Sequence, residues 1–456
     1  MMREKIRKNY CWLIVASCCG LMSASIGIPM NATSVLLAPL ADGLGVGMGD
    51  ISAHRTIMAI ATGITAPMMV MLARRIRVNR LILCGALVST VSHLAISCAQ
   101  SIWLLYAMAA LIGIANSSLG VSVISMVINN WFYERRGFAL GLPLSCSGLM
   151  GALFSPLLAT VLEESGWRMS YGIVALCIAI VSLPAILFLC AAPEEKGLKP
   201  YGKSAEVQEK REENNAAGRK PNAGEARILV MLCVANVCVS LPCCLNTHLP
   251  NYATGIGFTT QAAALLVSVL MIGNTGCKLV TGILNDNIGL EKTATIMLTV
   301  SGCGAFALAL GHILPKGCAF AASVMLGAAY TAPTVMMTIA TKDLFGRERA
   351  ALLYSYIAGV GALVSSFGYT AVGYAYDFLG NYKAIFSCAG GLVLAALALI
   401  RLSYKQNADM NRASSKELRI AGIAKKGAAT QPQGLRQKQY WKRSQPESAD
   451  TSSLKM

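Results

Sequence analysis

Charge is what this sequence has least of. Of 456 residues only 13% are Asp, Glu, Lys or Arg, against roughly 25% in an ordinary soluble domain. With 55% of the residues hydrophobic, a water-soluble fold is excluded. The N-terminus is basic, but the apolar stretch that follows, Trp12 to Leu37, is longer than a signal-peptide core and has no A-x-A cleavage pattern. Cysteine, by contrast, is plentiful. What its sixteen copies lack is a polar setting: nearly all lie in apolar runs, including the adjacent pairs Cys18/Cys19 and Cys243/Cys244. Neighbours on a helix point to different faces. These cysteines read as small lipid-compatible side chains rather than as a disulfide framework or a metal centre.

What is present is length. Apolar runs able to cross a hydrocarbon core of about 30 Å as helices recur along the chain. Twelve are expected, near residues 12–37, 51–72, 81–99, 103–128, 138–162, 169–191, 228–250, 260–284, 293–312, 318–340, 350–375 and 383–403. The expected fold is an all-α membrane protein, built from an N-terminal six-helix half (1–191), a central linker (192–227) and a C-terminal six-helix half (228–404). A basic tail without regular structure (405–456) follows.

Basic residues orient the spans, because short cytoplasmic loops retain Lys and Arg. With the N-terminus inside, 34 of the 39 fall on the cytoplasmic side and three, Arg168, Lys316 and Lys383, outside. The expected location is therefore the inner (plasma) membrane with both termini and the linker in the cytoplasm. The same asymmetry accounts for most of the formal charge of +17, so no nucleic-acid partner is needed. The linker mixes eight basic and seven acidic residues with almost no large apolar ones, which leaves nothing to build a core from.

An internal repeat appears at a constant offset of 213. Pro29 corresponds to Pro242, MVMLARRI (69–76) to GILNDNIG (282–289), and WFYERRG (131–137) to LFGRERA (344–350). Two parallel halves related by an axis along the membrane normal follow. On these residues the chain resembles the major facilitator superfamily, over about residues 10–404. Within it, NWFYERRGFALG (130–141) and GWRMSY (166–171) resemble the monocarboxylate-porter-like and oxalate/formate-antiporter-like branch. Its signature loop, G-x-x-x-D-[RK]-x-G, keeps both glycines and the acid in the second copy (Gly282, Asp286, Gly289). In the first copy Met69, Ala73 and Ile76 replace them, although Arg74 matches. The resemblance implies alternating access by a non-enzymatic, cofactor-free carrier acting as a monomer in lipid. It implies gating by the loop carboxylate with cytoplasmic arginines: Asp286 with Arg347 or Arg349, and Arg74 and Arg136 in the first half. Gly137, Gly141, Gly148 and Gly151 offer small faces for close helix approach.

All 22 acids fall in loops, tails or helix mouths. Proton relays and cation carriers commonly place a carboxylate inside the membrane, so both are disfavoured. The basic residue clearly inside a span is Lys278, and in the resembled branch a basic residue here is associated with the substrate carboxylate. Its alternative is snorkelling to the interface. Arg55 is a second binding candidate, or else meets headgroups or Asp50. His248 is a pH-sensing candidate or a structural residue. Asn31, Asn116, Asn246, Tyr330, Tyr354 and Tyr356 divide between substrate contact and interhelical hydrogen bonding. Two pattern matches carry no weight: GLKPYGKS (197–204) fits a phosphate-binding loop but lacks the preceding strand, and GLGVGMG (43–49) lacks a βαβ context. The expected function is secondary transport of a small organic anion, a mono- or dicarboxylate. Efflux of amphipathic or aromatic compounds and a non-transporting sensor are the alternatives.

Overall fold

A computed structural model of the chain describes residues 2–132, 136–198, 200–201 and 223–429; most of the expected linker (202–222) and residues 430–456 lie outside them. The chain divides into two compact units, Met1–Ser403 and Tyr404–Met456. The second is described through residues 404–429, which belong to the helix Lys383–Ala429. The tail expected to lack regular structure is therefore helical as far as Ala429.

Eleven described stretches are long and apolar enough to span a membrane. The longest, Phe138–Phe188, is interrupted at Gly166, with φ 75° and ψ 174°. Glycine adopts that conformation without steric cost, and the stretch is two spans. Twelve result: α1 (Tyr10–Leu44), α2 (Met48–Ala73), α3 (Val78–Ser97), α4 (Ile102–Trp131), α5 (138–165), α6 (167–188), α7 (Gly224–Thr247), α8 (Thr260–Ile288), α9 (Leu290–Ala309), α10 (Lys316–Phe345), α11 (Leu353–Leu379) and α12 (Lys383–Met410). The outward faces are apolar. On α6, Leu176, Ile180, Leu183 and Leu187 are 59%, 55%, 49% and 66% exposed. The spacing i, i+4, i+7, i+11 makes one helical stripe, a surface that only hydrocarbon would cover favourably.

Four spans are irregular, and the repeat pairs them. In α1 a π-helical stretch, Ser23–Asn31, contains Pro29 and leads into a 3-10 stretch, Ala32–Leu36. In α7, Pro242 precedes a 3-10 turn, Cys244–Thr247. In α4 the helix breaks at Gly120, with φ −92° and ψ −170°; 213 residues later α10 breaks over Ala328–Thr331 and Ala332–Met336, around Pro333. Proline lacks the N–H and crowds the carbonyl four residues back, so three of the four breaks have a sequence cause. A break frees backbone groups that lipid cannot satisfy.

The repeat also shows where the halves diverge. Between α8 and α9 the chain turns on one residue, Gly289, at φ 78°. In the first copy Ile76 stands there at φ −120°, and the turn takes both Ile76 and Arg77. A non-glycine residue cannot make the one-residue turn without strain. Helix packing uses small residues as expected: a Cβ on Gly151 would sit 2.6 Å from Cβ of Asn31, and one on Gly27 would sit 2.9 Å from the Ser147 carbonyl, so α1 and α5 approach backbone to backbone.

Candidate functional site

The first six and last six helices meet at one end of the bundle. α2 begins there and α11 ends there. The Asp377 carboxylate accepts from the first amides of α2, Met48 N at 2.9 Å and Gly49 N at 2.6 Å. The Tyr374 hydroxyl donates to Asp50 Oδ1 at 2.7 Å. A turn or two deeper, Thr56 Oγ1 donates to the Ser366 carbonyl at 2.6 Å and lies 2.7 Å from Thr370 Oγ1. On the other flank Gln261 Nε2 donates to Glu163 Oε2 at 3.2 Å, and Ser268 Oγ to the Ala152 carbonyl at 2.6 Å. The glycines make this possible: a Cβ on Gly373 would fall 2.4 Å from the Met48 carbonyl.

The opposite end carries Arg75, Arg77 and Arg80, hereafter the basic end. Among the described residues, every hydrogen bond between the halves lies in the portion just described or at the α1 and α7 breaks. There Asn246 Nδ2 donates to Asn31 Oδ1 at 3.3 Å, and Asn31 Nδ2 to the Ser147 carbonyl at 3.3 Å. The last close approach between α5 and α8 is Gly148 against Thr275 Oγ1, 3.1 Å from a notional Cβ. Beyond it, toward the basic end, no hydrogen bond between described residues joins the halves.

Three of the candidate polar side chains, Arg55, Tyr330 and Tyr354, make hydrogen bonds at the helix breaks. Arg55 is 1% exposed. Its guanidinium donates to the Pro29 carbonyl at 3.2 Å, the Met30 carbonyl at 3.0 Å and Thr33 Oγ1 at 2.7 Å. It is therefore neither at a headgroup nor paired with Asp50, whose side chain takes Tyr374. Where α1 passes from its π-helical to its 3-10 stretch, the adjacent helix supplies a three-pronged donor. Tyr330 Oη donates to the Cys243 carbonyl, next to Pro242, at 2.6 Å, and Tyr354 Oη donates to the Pro333 carbonyl at 3.1 Å. Thus three breaks have their own side-chain donor. Sequence reasoning saw both the prolines and the donors but had no means of joining them, since 26, 87 and 21 residues separate each donor from its carbonyl. Tyr356 is 57% exposed. His248 is fully buried: its Nε2 lies 3.2 Å from the Tyr369 carbonyl, and the Tyr382 hydroxyl lies 3.3 Å from Nδ1. A donor at Nε2 and an acceptor at Nδ1 describe a structural imidazole rather than a group at a mouth.

Lys278 and Asn116 remain. Asn116 is 5% exposed and its Oδ1 has no partner. Lys278 is half-buried on α8, ten residues and so about 15 Å from the helix end at the basic side. It is on the open side of Thr275, near the Cys243–Tyr330 break, and it makes no hydrogen bond or ion pair to any described residue. The repeat sharpens its position. Lys278 corresponds to Thr65, and Tyr330 to Ser117. In the first half Thr65 Oγ1 donates to Ser117 Oγ at 2.8 Å. Two equivalent places thus hold a closed hydroxyl pair on one side and an unpaired ammonium on the other.

The gating residues are placed differently from expectation. Arg349 makes a two-pronged pair with Glu225 at 3.0 and 2.9 Å, and that carboxylate raises its pKa. Asp286 is exposed and, among the described residues, takes only a 3.5 Å contact from Asn285. The side chains of Arg74, Arg136 and Arg347 lie outside the described residues. Sequence reasoning missed Asp377 altogether, grouping it with the helix-mouth acids. Its signal is an acid at the end of one span whose repeat position holds Glu164, beside the Glu163 that faces α8.

Comparison with known proteins agrees with this architecture. The family model described as Major Facilitator Superfamily matches residues 14–369. Monocarboxylate transporter 13 of Rattus norvegicus is 26% identical over 327 residues, 70% of this chain and 72% of its own. The oxalate:formate antiporter of Oxalobacter formigenes is 26% identical over 274 residues, 58% of this chain and 61% of its own. Among solved structures, the D-xylose–proton symporter superposes with a TM-score of 0.67 at 14% identity, covering 86% of this chain and 97% of that one. An inward-facing, occupied bacterial homologue of the lysosomal transporter Spinster gives 0.61 at 14% identity, covering 91% and 97%.

Proposed function

The chain belongs to the Major Facilitator Superfamily, and we propose that this multi-pass membrane transporter carries a small organic anion, a mono- or dicarboxylate, with Lys278 as its counter-charge. The observation that carries the reading is an ammonium without a partner inside the membrane. Such a charge is costly unless it faces water or an anion, and the protein supplies no carboxylate to it. Lysine acts as a point charge rather than a fork, which suits a carboxylate held with modest geometric demand. The relatives named as monocarboxylate and oxalate:formate carriers support the same class. Uniport, exchange, or symport with a proton carried on the substrate all fit a membrane interior without an acidic relay.

The excess of Lys and Arg supports a reading in which the basic end, both termini and the linker face the cytoplasm and the protein sits in the inner (plasma) membrane. On that orientation the bundle is closed outside and open inside. Residues 1–191 and 228–404 are the bodies that rock, about the bonded layer between α2 and α11 and between α5 and α8. Asp286, Arg347, Arg74 and Arg136 belong, on this reading, to the inner closure.

Counterflow in proteoliposomes across a panel of carboxylates, wild type against Lys278→Gln, tests the reading. Carboxylate exchange is expected in wild type and a loss of more than tenfold in the variant. Carboxylate uptake indifferent to the change would sink it, and export of amphipathic compounds untouched by Lys278→Gln would favour an efflux carrier.

A further inference from the structure

A cavity of about 990 Å3 opens at the basic end and is lined by residues of the first six helices and of the start of the linker. Its walls are the α2–α3 turn, the ends of α4 and α6, and the short 3-10 turn Pro193–Lys196. Arg75, Arg77, Arg80 and Lys196 line it, against one acid, Glu195. None of the three arginine side chains makes a hydrogen bond or an ion pair with a described residue. The walls themselves are tied together. Asn79 Nδ2 donates to the Ile186 carbonyl at 2.8 Å, Asn130 Nδ2 to the Ala191 carbonyl at 3.0 Å, and Trp131 Nε1 to the Cys190 carbonyl at 2.9 Å. Fixed walls with unengaged cations describe a receptacle for an anion.

The fold does not require these cations. Residues 73–80 carry four arginines and no acid, whereas the repeat-related residues 286–293 carry Asp286, Glu291 and Lys292, a formal +4 against −1. Both copies join consecutive spans by a short turn, the first through Ile76 and Arg77 and the second through Gly289, and the second does so without a cluster of cations. The excess charge in the first copy therefore has a use other than folding the loop.

The site also lies where lipid ends. Leu187, which lines the cavity, is the last member of the lipid-facing stripe of α6 and is 66% exposed. The cavity thus joins a hydrocarbon-facing surface to a cluster of arginines at the span ends. We propose that it binds a phosphate-bearing ligand, the phosphodiester of an anionic lipid headgroup, with Arg75, Arg77 and Arg80 as its donors and Leu187 beside the acyl chains. Guanidinium suits phosphate because its donors match two oxygens at once.

The test is native mass spectrometry of the full chain in detergent, titrated separately with phosphatidylglycerol, phosphatidylcholine and inorganic phosphate. Wild type is compared with the triple variant Arg75→Gln, Arg77→Gln, Arg80→Gln. Phosphatidylglycerol should bind wild type more tightly than phosphatidylcholine. The triple variant should weaken it on the order of a hundredfold, about fivefold per interfacial arginine. Protection by phosphatidylglycerol but not inorganic phosphate identifies a lipid site; equal competition by inorganic phosphate identifies a soluble phosphate-bearing ligand at the same arginines. Equal binding of both lipids, or less than a threefold change in the variant, overturns the proposal. Because the three side chains hold no described residue in place, the variant is expected to fold, and the single variants Arg77→Gln and Arg80→Gln serve if it does not.

Discussion

Replacing Asp377 should open the closed end of the bundle. This carboxylate accepts the first two amides of α2 at 2.9 and 2.6 Å, across the boundary between the halves, so its bonds exist only while that end is shut. A side chain capping a helix N-terminus contributes about 0.5–2 kcal/mol, with a further few tenths from the charge at the positive end of the helix dipole. Asp377 is exposed, and water moderates both contributions, so about 1 kcal/mol is the reasonable figure. That corresponds to roughly a fivefold shift in the ratio of closed to open conformers. Asp377→Asn keeps one acceptor and should shift the ratio less than Asp377→Ala. Spin labels on non-canonical residues at Ser101 and Ile313, one on each half at the closed end, report it as a distance distribution. With sixteen native cysteines, thiol labelling would not be selective. A distribution unchanged in Asp377→Ala would show that the cap does not hold the end shut, and the reasoning from bond geometry to conformer population would fail.

Two further outcomes separate structure from transport. Arg55→Gln should lower thermal stability by about 1–3 kcal/mol, because the Met30 carbonyl loses its side-chain donor while the Pro29 carbonyl keeps only the Thr33 hydroxyl; a variant that melts with wild type would mean that water satisfies the α1 break. Tyr330→Phe should cost about 1–2 kcal/mol through the orphaned Cys243 carbonyl, with carboxylate affinity in counterflow changed less than threefold. A large rise in half-saturating substrate would instead make Tyr330 a substrate contact.

The spans, their number and the repeat were legible because each rests on composition over twenty or more residues. Hydropathy separates α5 from α6 only weakly; the sequence cue was the Gly166 motif, and the φ of 75° there is what glycine was needed for. The irregular stretches were half visible. Pro29, Pro242 and Pro333 announce broken helices, yet the donors that complete them, Arg55, Tyr330 and Tyr354, are chosen by packing. A polar residue in an apolar run looks the same whether it faces a substrate or a freed carbonyl. That ambiguity explains why most of the expected cavity residues proved to be occupied, while Lys278, identified by charge alone, stayed without a partner. The loop acids misled for a similar reason. Arg349 lies nearer in sequence to Asp286 than to Glu225, 124 residues away, but the start of α7 brings Glu225 to it.

The repeat relates the two contacts that close the far end and also shows that they are unequal. Met48, whose amide meets Asp377, corresponds to Gln261, which meets Glu163, within one residue of the position equivalent to Asp377. One seam pairs a carboxylate with two backbone amides; the other pairs a carboxylate with one exposed side-chain amide, at 3.2 Å. Charge-assisted bonds to a helix terminus hold a fixed geometry, whereas an exposed Gln–Glu contact must also order two flexible side chains. The α2–α11 seam is accordingly the stronger. At the basic end the imbalance is reversed, since the first-half loop has Ala73 where the second has Asp286. A protein with a reinforced clasp on one side and half a clasp on the other is expected to rest with the basic end open. Restoring the acid by Ala73→Asp adds a carboxylate beside four arginines, so its effect on conformer populations mixes gating with neutralisation of the proposed phosphate site. Asp377 is the cleaner lever, because the contacts it makes cross only the far seam.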